Sequence, residues 1–262
     1  MIATAPCYSA APRAGLARAG WLAVHAPRRG NRPQAMLTST VKRQHTLPRA
    51  DRVLTVTARP GQESADLGAL LYTFGRVGAR VALLSLTRGE ASRLNSTVEP
   101  LESVRPWELR VAAHVLGVSS VAVADYPDGR LSSCELATLA ERVSRAIADQ
   151  SADLVLVTDP AESGLDGAVV AMAACEAARA AGVPTLARTV SAARGGWQVD
   201  LGDHAVQARA AQRSAVAAHA SQSGALADLT FRLRLLGRSE WLRWLAPPTA
   251  PWAGWRPPAA AS

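Results

Sequence analysis

The feature that most constrains this chain is a regular alternation of short apolar runs with longer amphipathic segments, which begins near Arg52. The apolar runs are rich in Val, Leu and Thr, a composition that is typical of buried β-strands. They predict strands at 53–57, 80–87, 118–124, 153–158 and 185–191. The segments between them predict helices at 64–77, 104–116, 131–149 and 167–181, the second with Val104, Trp107, Val111 and Val115 on its apolar face.

This alternation also predicts how the elements pack. A helix between two strands makes a right-handed crossover, so the strands run parallel and helices cover both faces of the sheet. We therefore predict an α/β fold, a Rossmann-like three-layer sandwich with a mainly parallel sheet. Ligands of such sheets bind where loops leave the carboxyl ends of the strands. The candidate loops are 58–64, 87–103, 125–131 and 158–168.

The two ends of the chain differ from this middle part. Residues 1–46 contain scattered Pro, Ala and Arg without sustained periodicity, which predicts a disordered basic tail. An alternative is that translation begins at Met36, so that residues 1–35 are not made. We expect one domain over 51–245 and a Pro/Trp-rich, extended tail over 246–262.

Charge and cysteine content exclude several classes of protein. The net charge is +8, but residues 1–50 hold eight basic and no acidic side chains, and the rest of the chain holds 21 of each. The domain is therefore neutral, and we expect no nucleic-acid partner. No run approaches the about 20 apolar residues of a membrane span. Three widely spaced cysteines favour neither a disulfide framework nor a zinc knuckle, and a reducing cytoplasm is the expected location.

The candidate loops carry sequences that occur together in one family. In order, the chain reads VLTVTARPGQE at 53–63, LLSLTRGE at 83–90, RPWELRVAA at 105–113, YPDGRL at 126–131 and AAHASQ at 217–222. Together these stretches resemble the PIG-L (LmbE-like) de-N-acetylases over about residues 51–245. The resemblance implies the LmbE-like fold and a zinc-dependent hydrolase that removes an acetyl group from an N-acetylated amino sugar.

The motifs that carry the family's chemistry are altered in this chain. In the family, A-H-P-D-D-E after the first strand supplies two zinc ligands and the general base, and H-P-D-H after the fourth strand completes the site. Here the first motif reads ARPGQE, which places Arg59 at the ligand His, Gly61 at the base and Gln62 at the ligand Asp. The second reads GLDG, so Gly164 and Gly167 stand at both histidines.

These replacements remove the donors that zinc needs. A catalytic zinc site takes about three His, Cys or carboxylate ligands and a water. Arg59 is cationic and has no lone pair to give, Gly167 has no side chain, and Gln62 offers one neutral carbonyl. We therefore predict no metal or other cofactor, and a non-catalytic member of the family. The alternative is an active hydrolase that removes N-acetyl groups from amino sugars through an unrecognised metal-ligand set.

Several polar residues remain at family positions around the cleft, and they have two interpretations. One is a pocket for a sugar-like or anionic ligand; the other is a set of ion pairs and caps that hold the loops. For Arg59 we favour an internal ion pair with Asp166 or Glu63 over an anion site. The candidate ligand-binding residues are Arg59, Gln62, Glu63, Arg105, Asp128, Asp166 and His219.

The carboxyl-terminal part is unusually rich in tryptophan. Apolar residues at helical spacing predict a closing helix that packs on the sheet and ends near Leu245. Its apolar face would comprise Leu226, Leu229, Leu233, Leu236, Trp241, Trp244 and Leu245. Trp241, Trp244, Trp252 and Trp255 are also candidates for binding a protein partner.

Overall fold

In the computed structural model, residues 43–44, 47–225 and 236–248 are described. Met36, Trp252, Trp255 and most of both predicted tails lie outside these residues. The strands are β1 (Arg43–Gln44), β2 (Arg52–Thr57), β3 (Arg80–Thr87), β4 (Ser120–Tyr126), β5 (Leu154–Thr158), β6 (Thr185–Thr189), β7 (Trp197–Asp200) and β8 (Ser239–Ala246). The α-helices are α1 (Gly68–Arg76), α2 (Leu101–Val115), α3 (Leu136–Gln150), α4 (Gly164–Ala180) and α5 (Ala205–Ala217).

All eight strands form one sheet in the order β1-β7-β8-β6-β5-β2-β3-β4. β8 is antiparallel to both of its neighbours, and every other adjacent pair is parallel. β1 lies within the segment for which the sequence predicts disorder, and it pairs with β7. The predicted mainly parallel α/β architecture is confirmed, and each of the five predicted strands is present.

Two apolar layers cover the sheet because successive residues of a strand point to opposite faces. In β2, Leu54 and Val56 pack with α3 and α4, whereas Val53 packs with α1 and α5 on the other face. β5 alternates in the same way, with Val155 and Val157 facing α3 and α4. These central strands are buried on both faces, which is why they read as continuous apolar runs in the sequence.

Helix α2 buries a different face from the predicted one. The indole of Trp107 is 64% exposed, and the buried side of the helix includes Arg105, Glu108 and Leu109. Its end is as expected: Gly117 has φ +75°, the left-handed conformation that glycine adopts most easily after a helix. The predicted apolar face is wrong because buried charged side chains take the place of apolar ones.

The predicted closing helix is wrong where the structure describes it. Residues 239–246 form β8, which lies between β6 and β7, and residues 226–235 are outside the described part. Buried charges hold the strand: Glu240 accepts hydrogen bonds from Arg188 (3.2 Å) and Arg209 (2.5 Å). Arg243 binds Asp159, the residue after β5, through two nitrogens. This pair lowers the pKa of Asp159, chiefly through the hydrogen bond from Arg243.

Trp241 and Trp244 therefore belong to the sheet. Trp241 is opposite Thr189 of β6 and Gln198 of β7, and its side chain is half-buried. The ring of Trp244 packs against that of Trp197 with centroids 5.9 Å apart. No helix among the described residues is long and apolar enough to cross a membrane.

Candidate functional site

The loops that follow β2, β3, β4 and β5 meet at the carboxyl edge of the sheet. After β2, Ala58–Gln62 turns sharply, and Gly61 has φ +96°, a conformation that a side chain rarely tolerates. A wide helical turn, Glu63–Leu67, then leads into α1. Gln62 and Glu63 stand at this junction, and their side chains enter two different environments.

Glu63 is completely buried in a polar cluster. One of its carboxylate oxygens, Oε1, lies 2.8 Å from His219 Nε2 and accepts a hydrogen bond from the Ser64 hydroxyl (2.6 Å). Its other oxygen accepts the backbone N–H of Gly61 (2.8 Å). Burial by itself raises the pKa of Glu63, but the hydrogen bond and charge of His219, with the bond from Ser64, lower it below the ordinary value. The carboxylate form is therefore the stable one.

The cluster continues on the other side of His219. Both carboxylate oxygens of Glu108 accept hydrogen bonds from Ser221, from the backbone N–H (2.6 Å) and the hydroxyl (2.7 Å). His219 Nδ1 lies 4.0 Å from Glu108 Oε2. We call Glu63, Ser64, Glu108, His219 and Ser221 the retained cluster. It joins the loop after β2, α2 and the short helix Ala220–Ala225.

Arg105 ties two loops together beside this cluster. Its guanidinium is buried and donates to the carbonyls of Gly89 and of Pro60, the latter at 2.5 Å. Burial lowers the pKa of Arg105; the negative charge of Asp128 opposes this effect, and the positive charge of Arg59 adds to it. Gly89 has φ +79°, and a Cβ there would overlap the guanidinium. Arg105 thus contributes charge to the site while both of its terminal nitrogens are used by the fold.

Three positions that the resemblance matches to metal ligands, Arg59, Gln62 and Gly167, lie near the ends of β2 and β5. Gln62 accepts the backbone N–H of Ala58 (2.9 Å) and donates to the Thr158 hydroxyl (3.0 Å), so its amide bridges the ends of β2 and β5. A Cβ built on Gly167 would lie 3.4 Å from Gln62 Nε2 and only 2.5 Å from Ser163 Cβ. The space for a side chain at position 167 is therefore taken. We call Arg59, Gln62 and Gly167 the replaced positions.

Asp128 and Asp166 hold loops. Asp128 accepts hydrogen bonds from the Thr87 hydroxyl (3.2 Å) and the Ala91 backbone (3.0 Å). Asp166 accepts the backbone N–H groups of Gly129 (2.8 Å) and Leu131 (3.1 Å). These contacts agree with the interpretation in which polar residues fix the loops.

The ion pair predicted for Arg59 is wrong. Glu63 is occupied by His219, Asp166 by two backbone N–H groups, and no described carboxylate lies within ion-pair distance of the Arg59 guanidinium. The side chain of Arg59 is exposed at the end of β2. Its charge acts on Arg105, so two cations stand on one side of the site.

A cavity of about 340 Å³ opens between these groups. It is lined by four of the candidate residues, Arg59, Gln62, Arg105 and His219. The carboxylates Asp66 and Glu162 also border it, together with Ser163, Leu94 and Gln222. Nothing in the local sequence pattern marks these five lining residues as functional, although Gln222 belongs to the AAHASQ stretch. Glu63 lies buried behind the cavity, and Asp128 and Asp166 do not border it.

The residues present do not fit a zinc ion. Within 43–44, 47–225 and 236–248, no group of three or more His, Cys, Asp or Glu side chains is placed to hold a metal. The Gln62 carbonyl is used by a backbone N–H, position 167 has no side chain, and Arg59 brings a positive charge. Among the described residues, a divalent cation would therefore lack the three converging ligands that a catalytic zinc site requires.

Comparison with known proteins agrees with this geometry. Among solved structures, the chain is similar to the N,N'-diacetylchitobiose deacetylase from Pyrococcus horikoshii, with 16% identity and a TM-score of 0.59 over 75% of this chain and 84% of that one. It is also similar to the 4-carboxy-2-hydroxymuconate hydratase GalB from Pseudomonas putida, with 19% identity and a TM-score of 0.54 over 76% and 98% of the two chains. The fold is therefore that of the LmbE-like deacetylases.

Sequence relationships are consistent with the same family. Residues 54–178 match the profile of PIG-L, described as GlcNAc-PI de-N-acetylase. A stretch of 84 residues is 36% identical to 1D-myo-inositol 2-acetamido-2-deoxy-alpha-D-glucopyranoside deacetylase from Kineococcus radiotolerans, covering 30% of this chain and 23% of that protein. The chain thus matches about a quarter of the length of this relative. Residues 54–178 are thus similar to the PIG-L family, and the chain has the fold of its deacetylases.

Proposed function

We propose that this protein is a non-catalytic member of the PIG-L family that binds a small anionic or hydroxyl-rich ligand in the cavity lined by Arg59, Gln62, Arg105 and His219, which we call the main cavity. The observation that carries the proposal is the pair of guanidiniums there. Arg59 is exposed and without an ion pair among the described residues, and Arg105 adds a second positive charge. An anion placed between them would gain charge-assisted hydrogen bonds from Arg59.

The two arginines have different roles in this proposal. The terminal nitrogens of Arg105 already donate to the carbonyls of Gly89 and Pro60, so Arg105 supplies mainly electrostatic potential. Arg59 has unused donors that can point at the ligand. Asp66 and Glu162 on the cavity border favour a ligand that also carries hydroxyl or amino groups over a highly charged one.

Loss of the hydrolase reaction follows from the chemistry of the replaced positions. Without a metal, no group lowers the pKa of an attacking water toward about 7. Gly61 stands where the family has its general base, and it offers no proton acceptor. The fold itself does not require deacetylation, because a hydratase also uses it.

Two measurements test the proposal. First, we expect the purified chain to contain no stoichiometric zinc and to leave an N-acetylglucosaminide intact, with or without added metal. Second, calorimetric titration with phosphate, citrate and methyl glucoside should show binding of at least one probe that weakens about tenfold in Arg59→Ala. Arg179→Ala is the matched control, because Arg179 is an exposed arginine near the far end of α4.

Two different results would contradict the proposed function. Bound zinc together with deacetylation that a chelator abolishes would establish the alternative, an active hydrolase with a different ligand set. Probe binding that is equal in Arg59→Ala and the parent chain would remove Arg59 from the site.

A further inference from the structure

A second cavity, of about 380 Å³, lies next to the main one. The two cavities share the segment 219–222 as a wall. His219 and Gln222 line the main cavity, whereas Ala220 and Ser221 line the second. The second cavity is completed by α2 and the loop before it, through Trp107, Glu108, Ser96 and Glu99 among others.

Hydrogen bonds fix the walls of this cavity. Ser96 donates to segment 219–222 through its backbone N–H, to the Ser221 carbonyl (3.0 Å), and through its hydroxyl, to the Ala220 carbonyl (2.9 Å). Glu108 fixes Ser221 by accepting hydrogen bonds from its backbone N–H and its hydroxyl. The cavity is thus formed by ordered elements, and a ligand would not need to order them first.

Trp107 is unusual in this region because its large apolar side chain is exposed. Its indole is 64% exposed although it belongs to the ordered helix α2. Neighbouring positions Arg105, Glu108 and Leu109 are all buried, so the helix is anchored without Trp107. A large exposed aromatic side chain at the edge of a cavity offers a flat apolar face for a ligand.

The remaining groups determine which ligand fits. The Ser103 hydroxyl and the Glu99 carboxylate make no hydrogen bond or ion pair with another described residue, so both are available. The Thr97 hydroxyl accepts the Glu99 backbone N–H and still has a proton to donate. None of the described lining residues is basic, and two are glutamates, which disfavours an anion.

From this arrangement we infer that the second cavity binds a neutral saccharide ring. One face of a pyranose presents C–H groups that stack on the Trp107 indole. Its hydroxyls can donate to Glu99 and exchange hydrogen bonds with Ser103 and Thr97. The second cavity differs from the main one, which contains two arginines, in having no basic side chain among its described lining residues.

This inference does not rest on the function proposed for the main cavity, and a single set of variants separates the two. The probes are the methyl glycosides of glucose, galactose, mannose and N-acetylglucosamine, with choline as a cationic probe. Saturation-transfer NMR on the full chain identifies which protons approach the protein. Arg59→Ala tests the main cavity, Trp107→Ala and Trp107→Phe test the second, and Met172→Ala, an exposed apolar residue on α4, is the control.

We expect at least one methyl glycoside to show transfer on a single ring face. Its affinity should fall at least about tenfold in Trp107→Ala and less in Trp107→Phe, because phenylalanine keeps part of the stacking surface. Arg59→Ala and Met172→Ala should leave it unchanged. Urea unfolding of each variant verifies that the fold is intact.

Three results would overturn the inference. The first is the absence of transfer to all four glycosides. The second is transfer that Trp107→Ala leaves unchanged or that Arg59→Ala abolishes, which would assign the sugar to the main cavity. The third is binding of choline alone, lost in both Trp107→Ala and Glu99→Gln, which would make the cavity a site for cations through the indole face.

Discussion

Gln62 and Glu63 are adjacent in the chain, yet their side chains enter two different regions of the site, and only Glu63 matches the motif that the chain resembles. Glu63 enters the retained cluster, where His219, Ser64 and the Gly61 backbone surround its carboxylate. Gln62 enters the replaced positions, where its amide binds Ala58 and Thr158. The first region keeps the family residue and the second does not.

The contrast between the retained cluster and the replaced positions indicates which side chains of the site stabilise the fold. Removing the Glu63 carboxylate leaves several buried donors without their acceptor, and each unsatisfied buried polar group costs about 1–3 kcal/mol. The replaced positions face a cavity or neutral groups, and Gln62 satisfies its own hydrogen bonds. The fold therefore tolerates Arg59, Gln62 and Gly167 at the replaced positions, whereas we expect loss of the retained cluster to impair folding itself.

The largest expected effect is on the retained cluster. Glu63→Ala leaves His219, Ser64 and the Gly61 N–H without their acceptor, and we expect the free energy of unfolding to fall by about 3–5 kcal/mol. Urea unfolding at neutral pH measures the change. Glu176→Ala, an exposed glutamate on α4, is the control and should change stability by less than about 0.5 kcal/mol. A loss below about 1 kcal/mol for Glu63→Ala would break the comparison.

A smaller effect is expected at the replaced positions. Gly167→Ala places a Cβ 2.5 Å from Ser163 Cβ, and we expect a loss of about 1–3 kcal/mol from overpacking. Ala otherwise favours a helix over Gly by about 1 kcal/mol, so a net loss identifies the overlap. Gly75→Ala in α1 meets nothing closer than 3.8 Å and serves as control.

The overlap at position 167 has a specific remedy. In a chain that also carries Ser163→Gly, Gly167→Ala should be neutral or stabilising in the same urea experiment, because the opposing Cβ is gone. If the double variant is as unstable as Gly167→Ala alone, Ser163 is not what closes the former metal position.

The smallest effect concerns pH. The pKa of Glu63 is below its ordinary 4.5 in the folded chain, so its contribution to stability is complete above pH 4.5 and is lost as the pH falls through the folded-state pKa. Glu63→Gln removes this titration. We expect the acid limb of unfolding free energy against pH to become shallower by at most about 1.4 kcal/mol per pH unit. Glu176→Gln should keep the parent slope, and equal slopes for Glu63→Gln and the parent chain would contradict the assignment.

The sequence predicts the fold wherever burial is apolar. β2 and β5 are identified because strands covered on both faces must be continuous apolar runs. The prediction fails where charges are buried. In α2, Arg105 and Glu108 occupy the buried face, so an analysis of periodicity assigns that face to solvent.

The same cause explains the errors near the carboxyl end. α5 was not recognised because Arg209 and Gln212 are buried on it among alanines. The apolar spacing of Trp241, Trp244 and Leu245 predicted a helix, but the segment is the strand β8, and its charged side chains Glu240 and Arg243 bind Arg209 and Asp159, which are distant in sequence. The local sequence pattern contains no information about charged partners that are distant in the chain.

For the candidate site, the motif spacing placed the loops correctly but not their contacts. Gln62 and Gly167 converge as the resemblance implies. The Arg59 ion pair failed because Glu63 and Asp166 each have nearer partners. Competition among several carboxylates for one cation is decided in three dimensions, and the sequence does not rank the competitors.

The position of β8 constrains how the chain is completed during synthesis. β6 and β7 are near in sequence, but they do not pair with each other; β8 lies between them and joins both in antiparallel register. Until residue 246 has left the ribosome, β6 and β7 each present an additional open edge with unsatisfied backbone groups. A chain interrupted before Ser239 would therefore lack a strand from the middle of its sheet, and it would expose a surface suited to aggregation or chaperone binding.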